Sequence, residues 1–449
     1  MQLAARRRIG PLTASREPLA VKIVSVIIME ETKDYIVKDL SLAEQGRMNI
    51  EWAGMQMKAL MKVKERLEKE KPFAGIRIGL ALHITKEAAN LVYTLKAGGA
   101  EVAICSCNPL STQDDVAAAL AESGIKVFGY KGENKEDYYT FLNKVVEFKP
   151  QITIDDGCDL VYEIHQKHPE LIKGIIGGCE ETTTGVIRLK AMEKDGALKY
   201  PIVAVNDNKT KHLIDNVIGT GQSTMDGLFR AASVLVAGKN FVIAGYGDCG
   251  KGLSSRARGM GANVIVTEVD PFRALQARLD GFSVMQMAEA AKIGEIFITV
   301  TGDKHVIDTH HFEHMRDGAI LANSGHFDIE INLASLKEMS KSVRRIRPFL
   351  DEYSLKDGRR IFVGGEGRLI NLAAAEGHPS AVMSLSFCGQ SLAVEYLVKN
   401  RGRLPVKVLQ LPEELDNSIA LIELETQGIK IDKLTAEQAK YLSSWKEGT

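Results

Sequence analysis

The sequence has no excess of either charge: 57 Lys and Arg stand against 58 Asp and Glu in 449 residues, a formal net charge of −1. No basic stretch is long enough to follow a phosphate backbone, so nucleic acid is not an expected partner. No membrane-spanning segment, which takes roughly 20 apolar residues, is expected either. The opening MQLAARRRIGPLTASREPLAVKIVSVIIMEE is basic and then only briefly apolar, so no membrane partner is expected. Residues 1–30 read as an extension, disordered or preceding a true start at Met29. Cys105, Cys107, Cys158, Cys179, Cys249 and Cys388 are too scattered for a disulfide framework, and reduced thiols in the cytoplasm are expected. Only Cys105 and Cys107 lie close, in ICSC, and without a second ligand pair no metal site is expected.

What the chain does contain is alternation. Its length exceeds what one hydrophobic core supports, so two large domains are expected. From about residue 75 the β-rich runs IRIGLALH, GAEVAICS, IKVFGY and QITIDDG alternate with helical KEAANLVYTLKAGG and TQDDVAAALAESG. A second series runs through KNFVIAGYG, ANVIVTEVD, FSVMQM, EIFITVTG and GAILANSGHF. The expected fold is α/β: two parallel-sheet domains, the second a Rossmann dinucleotide-binding domain, joined near 215–235 by helix-like STMDGLFRAASVLVAG. The two series share no motif, so they are not a duplication. The end, from VLQLPEELDNSIALIELETQG onward, is amphipathic and helical with a turn at Gly428, which suits an oligomer contact.

GYGDCGKG at 245–252 fits two phosphate-binding patterns. A triphosphatase loop needs Ser or Thr after Lys251 to hold magnesium, and Gly252 stands there. The dinucleotide pattern of Gly245, Gly247 and Gly250 has its full context: a strand before, a helix after, and Glu268 at the end of the next strand. A carboxylate there accepts from a ribose hydroxyl and repels a 2′-phosphate, so the expected cofactor is NAD, with Arg273 softening that preference.

Polar residues also sit where parallel strands end, which is where such sheets bind ligands: His83, Asp155, Asp156, Glu180 and Glu181. Any one of them reads equally well as a solvated loop residue, but the group does not. Lys211 and Asp215 share a helix face at i,i+4, with Asn216 beside them. A surface ion pair is the bland alternative. For Lys211 to act as a base its pKa would have to fall by about three units, roughly 4 kcal/mol of environment.

The segments HITKE, NPLSTQDD, DDG, EETTTG, KHLIDN, GYGDCGKG, NSGHFD and EGRLINLAAAEGHP, in this order between about Asp39 and Ser443, resemble the S-adenosylhomocysteine hydrolases, especially shorter prokaryotic and archaeal members. The resemblance implies reversible hydrolysis of S-adenosyl-L-homocysteine to adenosine and L-homocysteine, in the methylation cycle, by a cytoplasmic homotetramer. Bound NAD would oxidise the ribose 3′ carbon to a ketone, acidifying the 4′ C–H so that homocysteine leaves from the 5′ carbon. Water would then add and the ketone be reduced. The resemblance assigns Lys211 and Asp215 to the 3′-hydroxyl, with Asn216 steadying the lysine and Glu181 holding the ribose hydroxyls. It places Asp156 near the 4′ proton, and His83 with His326 at the 5′ end. To NAD it assigns Thr182, Thr183, Thr184, Asn216, Gly245, Gly247, Asp248, Cys249, Gly250, Lys251, Gly252, Glu268, Arg273, Ser324, Gly325, His326, Asn371 and His378.

Thr85 would donate to the ring nitrogen of adenine and Glu87 accept from its 6-amino group. Inosyl-type relatives resemble HLEAK, with a carboxylate at the Thr85 position and lysine at the Glu87 position. An adenosyl substrate is therefore expected, with S-inosyl-L-homocysteine hydrolysis or an ordinary NAD-dependent dehydrogenase as alternatives. Three departures stand out: Arg273 replaces a common Asn, Thr220 replaces a frequent Cys, and the chain ends without the Lys- and Tyr-bearing tail that reaches a neighbour's cofactor. The expected domains are 31–216 with 378–410 for substrate, 217–377 for NAD, and 411–449 for oligomerisation.

Overall fold

The computed structural model describes residues 34–446; the extension 1–30 and its start-site reading lie outside them. The first sheet contains β1 (Tyr35–Ile36), β2 (Arg77–Ala81), β3 (Glu101–Cys105), β4 (Lys126–Phe128), β5 (Ile152–Asp155), β6 (Gly177–Glu180) and β7 (Ile202–Ala204). The second contains β8 (Asn240–Ala244), β9 (Asn263–Thr267), β10 (Ser283–Val284), β11 (Ile296–Thr299), β12 (Ala319–Asn323), β13 (Ser340–Arg347), β14 (Leu350–Leu355) and β15 (Arg360–Gly364). A last strand, β16 (Val408–Leu409), returns to pair with β7. Ile78, Leu80, Ile152 and Ile154 are fully buried, as expected of apolar runs covered by helices on both faces.

Strand order decides where a ligand can sit. The first sheet runs β1-β4-β3-β2-β5-β6-β7-β16, so the chain builds outward in opposite directions from β2 and β5, whose ends pair as Ala81↔Asp155. The second runs β10-β9-β8-β11-β12-β15-β14-β13 and reverses between β8 and β11. At such a reversal the following loops diverge to opposite faces and leave a crevice at the carboxyl ends of the strands. His83 and Asp156 follow β2 and β5; the glycine loop follows β8.

Two local differences from the sequence reading have physical causes. The second sheet is not wholly parallel, because β13 and β14 form an antiparallel ribbon joined to β15. The connecting helix Thr220–Ala232 ends at Ser233, whose left-handed φ of 50° stops it, so residues 234–238 are not helical. Upstream, His212–Gly219 is wound as a π-helix rather than an α-helix. Toward the C-terminus the helix Glu413–Thr426 gives way to a turn at Gly428 (φ 70°) and a short helix Ala436–Leu442. Leu434, Leu442 and Trp445 are exposed on this arm.

Candidate active site

Every residue assigned above to substrate, catalysis or cofactor lines one cavity of about 760 Å³, except Gly250, Lys251 and Gly252. On the substrate side Lys211 is the centre. Its Nζ donates to Asn216 Oδ1 at 2.8 Å and lies 3.4 Å from Asp215 Oδ1 and 3.7 Å from Glu181 Oε1. The wider π turn brings a residue five positions on into line, which a regular α-turn would not do, and such turns cluster at functional sites.

Asp215 is held from every side: His378 Nδ1 lies 2.9 Å from its Oδ1, and Ser386 Oγ donates to Oδ2 at 2.6 Å. Burial opposes its ionisation, yet Lys211 and His378 keep the carboxyl well below the usual carboxylate range. Burial raises Glu181 to about 8, against the pull of Lys211. Gln390 Nε2 donates to Glu181 Oε2 at 2.5 Å. For Lys211 itself, burial lowers the pKa but Asp215 and Glu181 outweigh it, and the net shift is upward. A base role would require that pKa to fall; in this geometry it rises, because Asp215 and Glu181 stabilise the ammonium more than burial destabilises it.

At the other end of this half, His83 Nε2 lies 3.4 Å from Asp156 Oδ2, and His326 Nδ1 lies 3.6 Å from Asp156 Oδ1. Burial lowers His83 to about 4 even against the attraction of Asp156. Ser111 Oγ is 2.7 Å from His83 Nδ1, and Cys107 Sγ is 3.3 Å from the same nitrogen. His83, Asp156 and His326 bring one ligand atom each to within 4.8 Å of one another, a grouping of donors that sequence spacing did not reveal. Asp155 and Glu180 do not reach the cavity; their carboxylates accept the backbone N–H groups of Asp156, Gly157 and Thr182 and brace the loops that carry Asp156 and Glu181.

The cofactor side is built from backbone. Gly245 adopts φ 105°, which the turn out of β8 requires. A Cβ on Gly250 would come 2.0 Å from Gly245 O, and one on Gly252 would come 1.7 Å from Val217 O. These two glycines therefore seat the helix Asp248–Gly259 against its neighbours and do not line the cavity, and Lys251 lies on that helix away from the lining. Gly247 does line it, and a Cβ there would meet only Arg273 Nη1, at 3.5 Å. The helix starts with no side-chain cap, so its free N–H groups remain for a pyrophosphate. Asn371 Oδ1 is buried without a partner while its Nδ2 donates to Ser223 Oγ at 3.0 Å. An open glycine face, an uncapped helix and an orphaned amide oxygen fit a dinucleotide. Glu268 also faces the cavity, although it already accepts from the backbone of Tyr246, Val269 and Asp270.

Residues 34–168 match a family described as S-adenosyl-L-homocysteine hydrolase, and residues 216–377 match its NAD binding domain. An adenosylhomocysteinase of Aquifex aeolicus is 58% identical over 93% of this chain and 100% of its own length. The chain belongs to the S-adenosyl-L-homocysteine hydrolase family. It is an NAD-binding hydrolase by that membership. An adenosylhomocysteinase of Saccharolobus solfataricus is likewise 58% identical, over 92% of this chain and 100% of its own. An S-inosyl-L-homocysteine hydrolase of Methanocaldococcus jannaschii is 56% identical over 92% of this chain and 100% of its own.

The family's site draws on one helix that sequence reading left empty. Ser380–Lys399 is the one helix among the described residues long and apolar enough to cross a membrane, but most of it is buried inside the fold. Among its polar residues, Ser386 and Gln390 reach Asp215 and Glu181. Polar residues in the middle of an apolar core helix were the available signal.

Proposed function

We propose that this enzyme hydrolyses S-adenosyl-L-homocysteine to adenosine and L-homocysteine. The observation that carries the proposal is the buried Lys211 held among Asp215, Asn216 and Glu181 in a cavity continuous with the glycine loop. The helix Asp248–Gly259, Thr182–Thr184 and Asn371 would hold NAD, which when bound would supply reversible oxidation of the ribose 3′ carbon. Lys211 in its neutral form takes the 3′-hydroxyl proton, and Asp215 compensates the charge that forms. Glu181, 3.7 Å from Lys211, receives the ribose hydroxyls. Asp156 accepts the 4′ proton. His83, 3.4 Å from Asp156 and supported by Ser111, relays that proton from Asp156 to the departing thiolate. His326 closes over Gly157 beside it, where an added Cβ would lie 2.5 Å from its Nε2.

Thr85 and Glu87 line the same cavity and supply the donor and acceptor that adenine needs. A second reading, the S-inosyl substrate named for the Methanocaldococcus relative, is favoured by one contact: the Lys86 ammonium lies 3.3 Å from Glu87. Purified enzyme given S-adenosylhomocysteine should release free thiol with no net NADH accumulation; stoichiometric NADH without thiol marks an ordinary dehydrogenase. The six free cysteines support a cytoplasmic location. The exposed apolar residues of the C-terminal arm support self-association through residues 411–449, for which the family resemblance implies a homotetramer. The remaining division, 31–216 with 378–410 for substrate and 217–377 for NAD, is supported by the return of β16 to the first sheet.

A further inference from the structure

We infer that Glu376 sets base specificity: by tethering the Lys86 ammonium it leaves Glu87 free to accept, and so selects a 6-amino purine over a 6-oxo purine. The inference rests on the proposed binding of a purine nucleoside thioether with Glu87 at the 6 position. Lys86 opens the helix Lys86–Ala97, with its N–H on Gln113 Oε1 at 2.9 Å. Its Nζ donates to Glu376 Oε2 at 2.9 Å and lies 3.3 Å from Glu87 Oε1.

That same oxygen of Glu87 accepts from Ser380 Oγ at 2.6 Å, so the protein contacts fall on Oε1 and the other oxygen is left for a ligand. Lys86 and Glu87 are buried, whereas the Glu376 side chain is 59% exposed. An outer carboxylate therefore holds an inner ammonium at the rim of the subsite. Glu376 is itself fixed: Gln113 Nε2 donates to its carbonyl at 3.4 Å, and Arg230 Nη1 lies 3.7 Å from its Oε1.

Neutralising Glu376 leaves Glu87 as the remaining carboxylate beside Lys86. The ammonium then closes on Glu87, occupies the acceptor that adenine's amino group requires, and offers an N–H to a 6-oxo group instead. The sign is specific: affinity for one base falls while that for the other rises.

The test compares kcat/KM for S-adenosyl- and S-inosylhomocysteine in the NAD-loaded parent, Glu376→Gln, and Lys86→Met with Glu376→Gln. Adenosine and inosine affinities by calorimetry accompany it. Glu376→Gln should shift the ratio toward the inosyl substrate by about tenfold or more, with inosyl kcat/KM rising absolutely, and the double variant should lose that gain. Equal losses on both substrates, an unchanged ratio, or a gain that survives Lys86→Met would overturn the inference. A parent that binds neither nucleoside would instead sink the proposed function.

Discussion

The two sheets reverse their strand order around one cavity but furnish it with opposite materials. Beyond β2, β5 and β6 the chain places His83, Asp156 and Glu181, titratable side chains set against one another and against Lys211. Beyond β8 it places Gly245 and Gly247, followed by an uncapped helix, so fixed backbone dipoles replace titratable charge. On the proposed function, the substrate half moves protons and needs groups whose pKa can change. The cofactor half has to hold a diphosphate and needs donors that cannot lose their charge. Deleting a charge should therefore break the first half, and adding volume should break the second.

The largest effect is expected from Lys211→Met. It removes the proposed base and should lower kcat by about a thousandfold, with NAD still bound and still oxidised after substrate is added. Fast NADH absorbance at the parent rate would refute the assignment. The substitution also leaves Asp215 and Glu181 facing each other without the ammonium. Breaking such a buried set costs about 3–5 kcal/mol, so a lowered Tm should accompany the lost turnover.

Next are two glycines that separate packing from binding. Gly252→Ala drives a Cβ into the Val217 carbonyl and should destabilise the fold by about 1–3 kcal/mol while loosening NAD. Gly247→Ala meets no backbone, so it should weaken NAD binding with little change in Tm. Calorimetry of NAD binding beside thermal unfolding distinguishes them. Equal Tm losses in both would erase the distinction between seat and cradle.

The architecture was legible because both series of strands are short apolar runs ending in polar or glycine residues, and periodicity reports that directly. The glycine loop was legible from its strand, helix and Glu268 together, but the division of labour among its glycines was not. Gly250 and Gly252 differ from Gly247 only in what lies opposite them, which is a tertiary fact. The sign of the Lys211 shift was hidden for the same reason. Sequence places Asp215 four residues away, but Glu181 arrives from another strand end and His378 from the far side of the NAD-binding segment. The winding of His212–Gly219 as a π-helix, which aligns Asn216 with Lys211, has no simple pattern in composition.

Within the substrate half, the base subsite offers a smaller effect. Thr85→Glu with Glu87→Lys exchanges donor for acceptor at both positions and should move discrimination toward the inosyl substrate by about 5- to 150-fold, the cost of a buried unmatched group. Thr85 also accepts from Ala88 N–H as the cap of its helix, at 3.3 Å, so the change should cost about 1 kcal/mol of stability as well. The kcat/KM ratio isolates specificity from that loss. An unchanged ratio would remove Thr85 and Glu87 from base recognition.

The smallest effect tests whether buried carboxyls outside the chemistry carry the same burden as those within it. Glu133 lies in the substrate half but outside the cavity, with Ser106 Oγ donating to it at 2.5 Å, and burial raises it to about 7 from 4.5. Glu181 is raised to about 8 and Asp155 to about 7, also by burial first. A carboxyl raised in the folded state keeps its proton after the unfolded chain has lost its own. Its contribution is therefore fully present below the unfolded pKa and is lost as pH rises through the folded one. Asp215 and His83 are shifted downward, so theirs is lost on the acid side instead. Glu133→Gln removes one of the upward-shifted groups without touching Lys211. Urea midpoints should show the variant gaining on the parent by more at about pH 8 than at about pH 5. An identical difference at both pH values would mean that Glu133 is ionised in the folded enzyme.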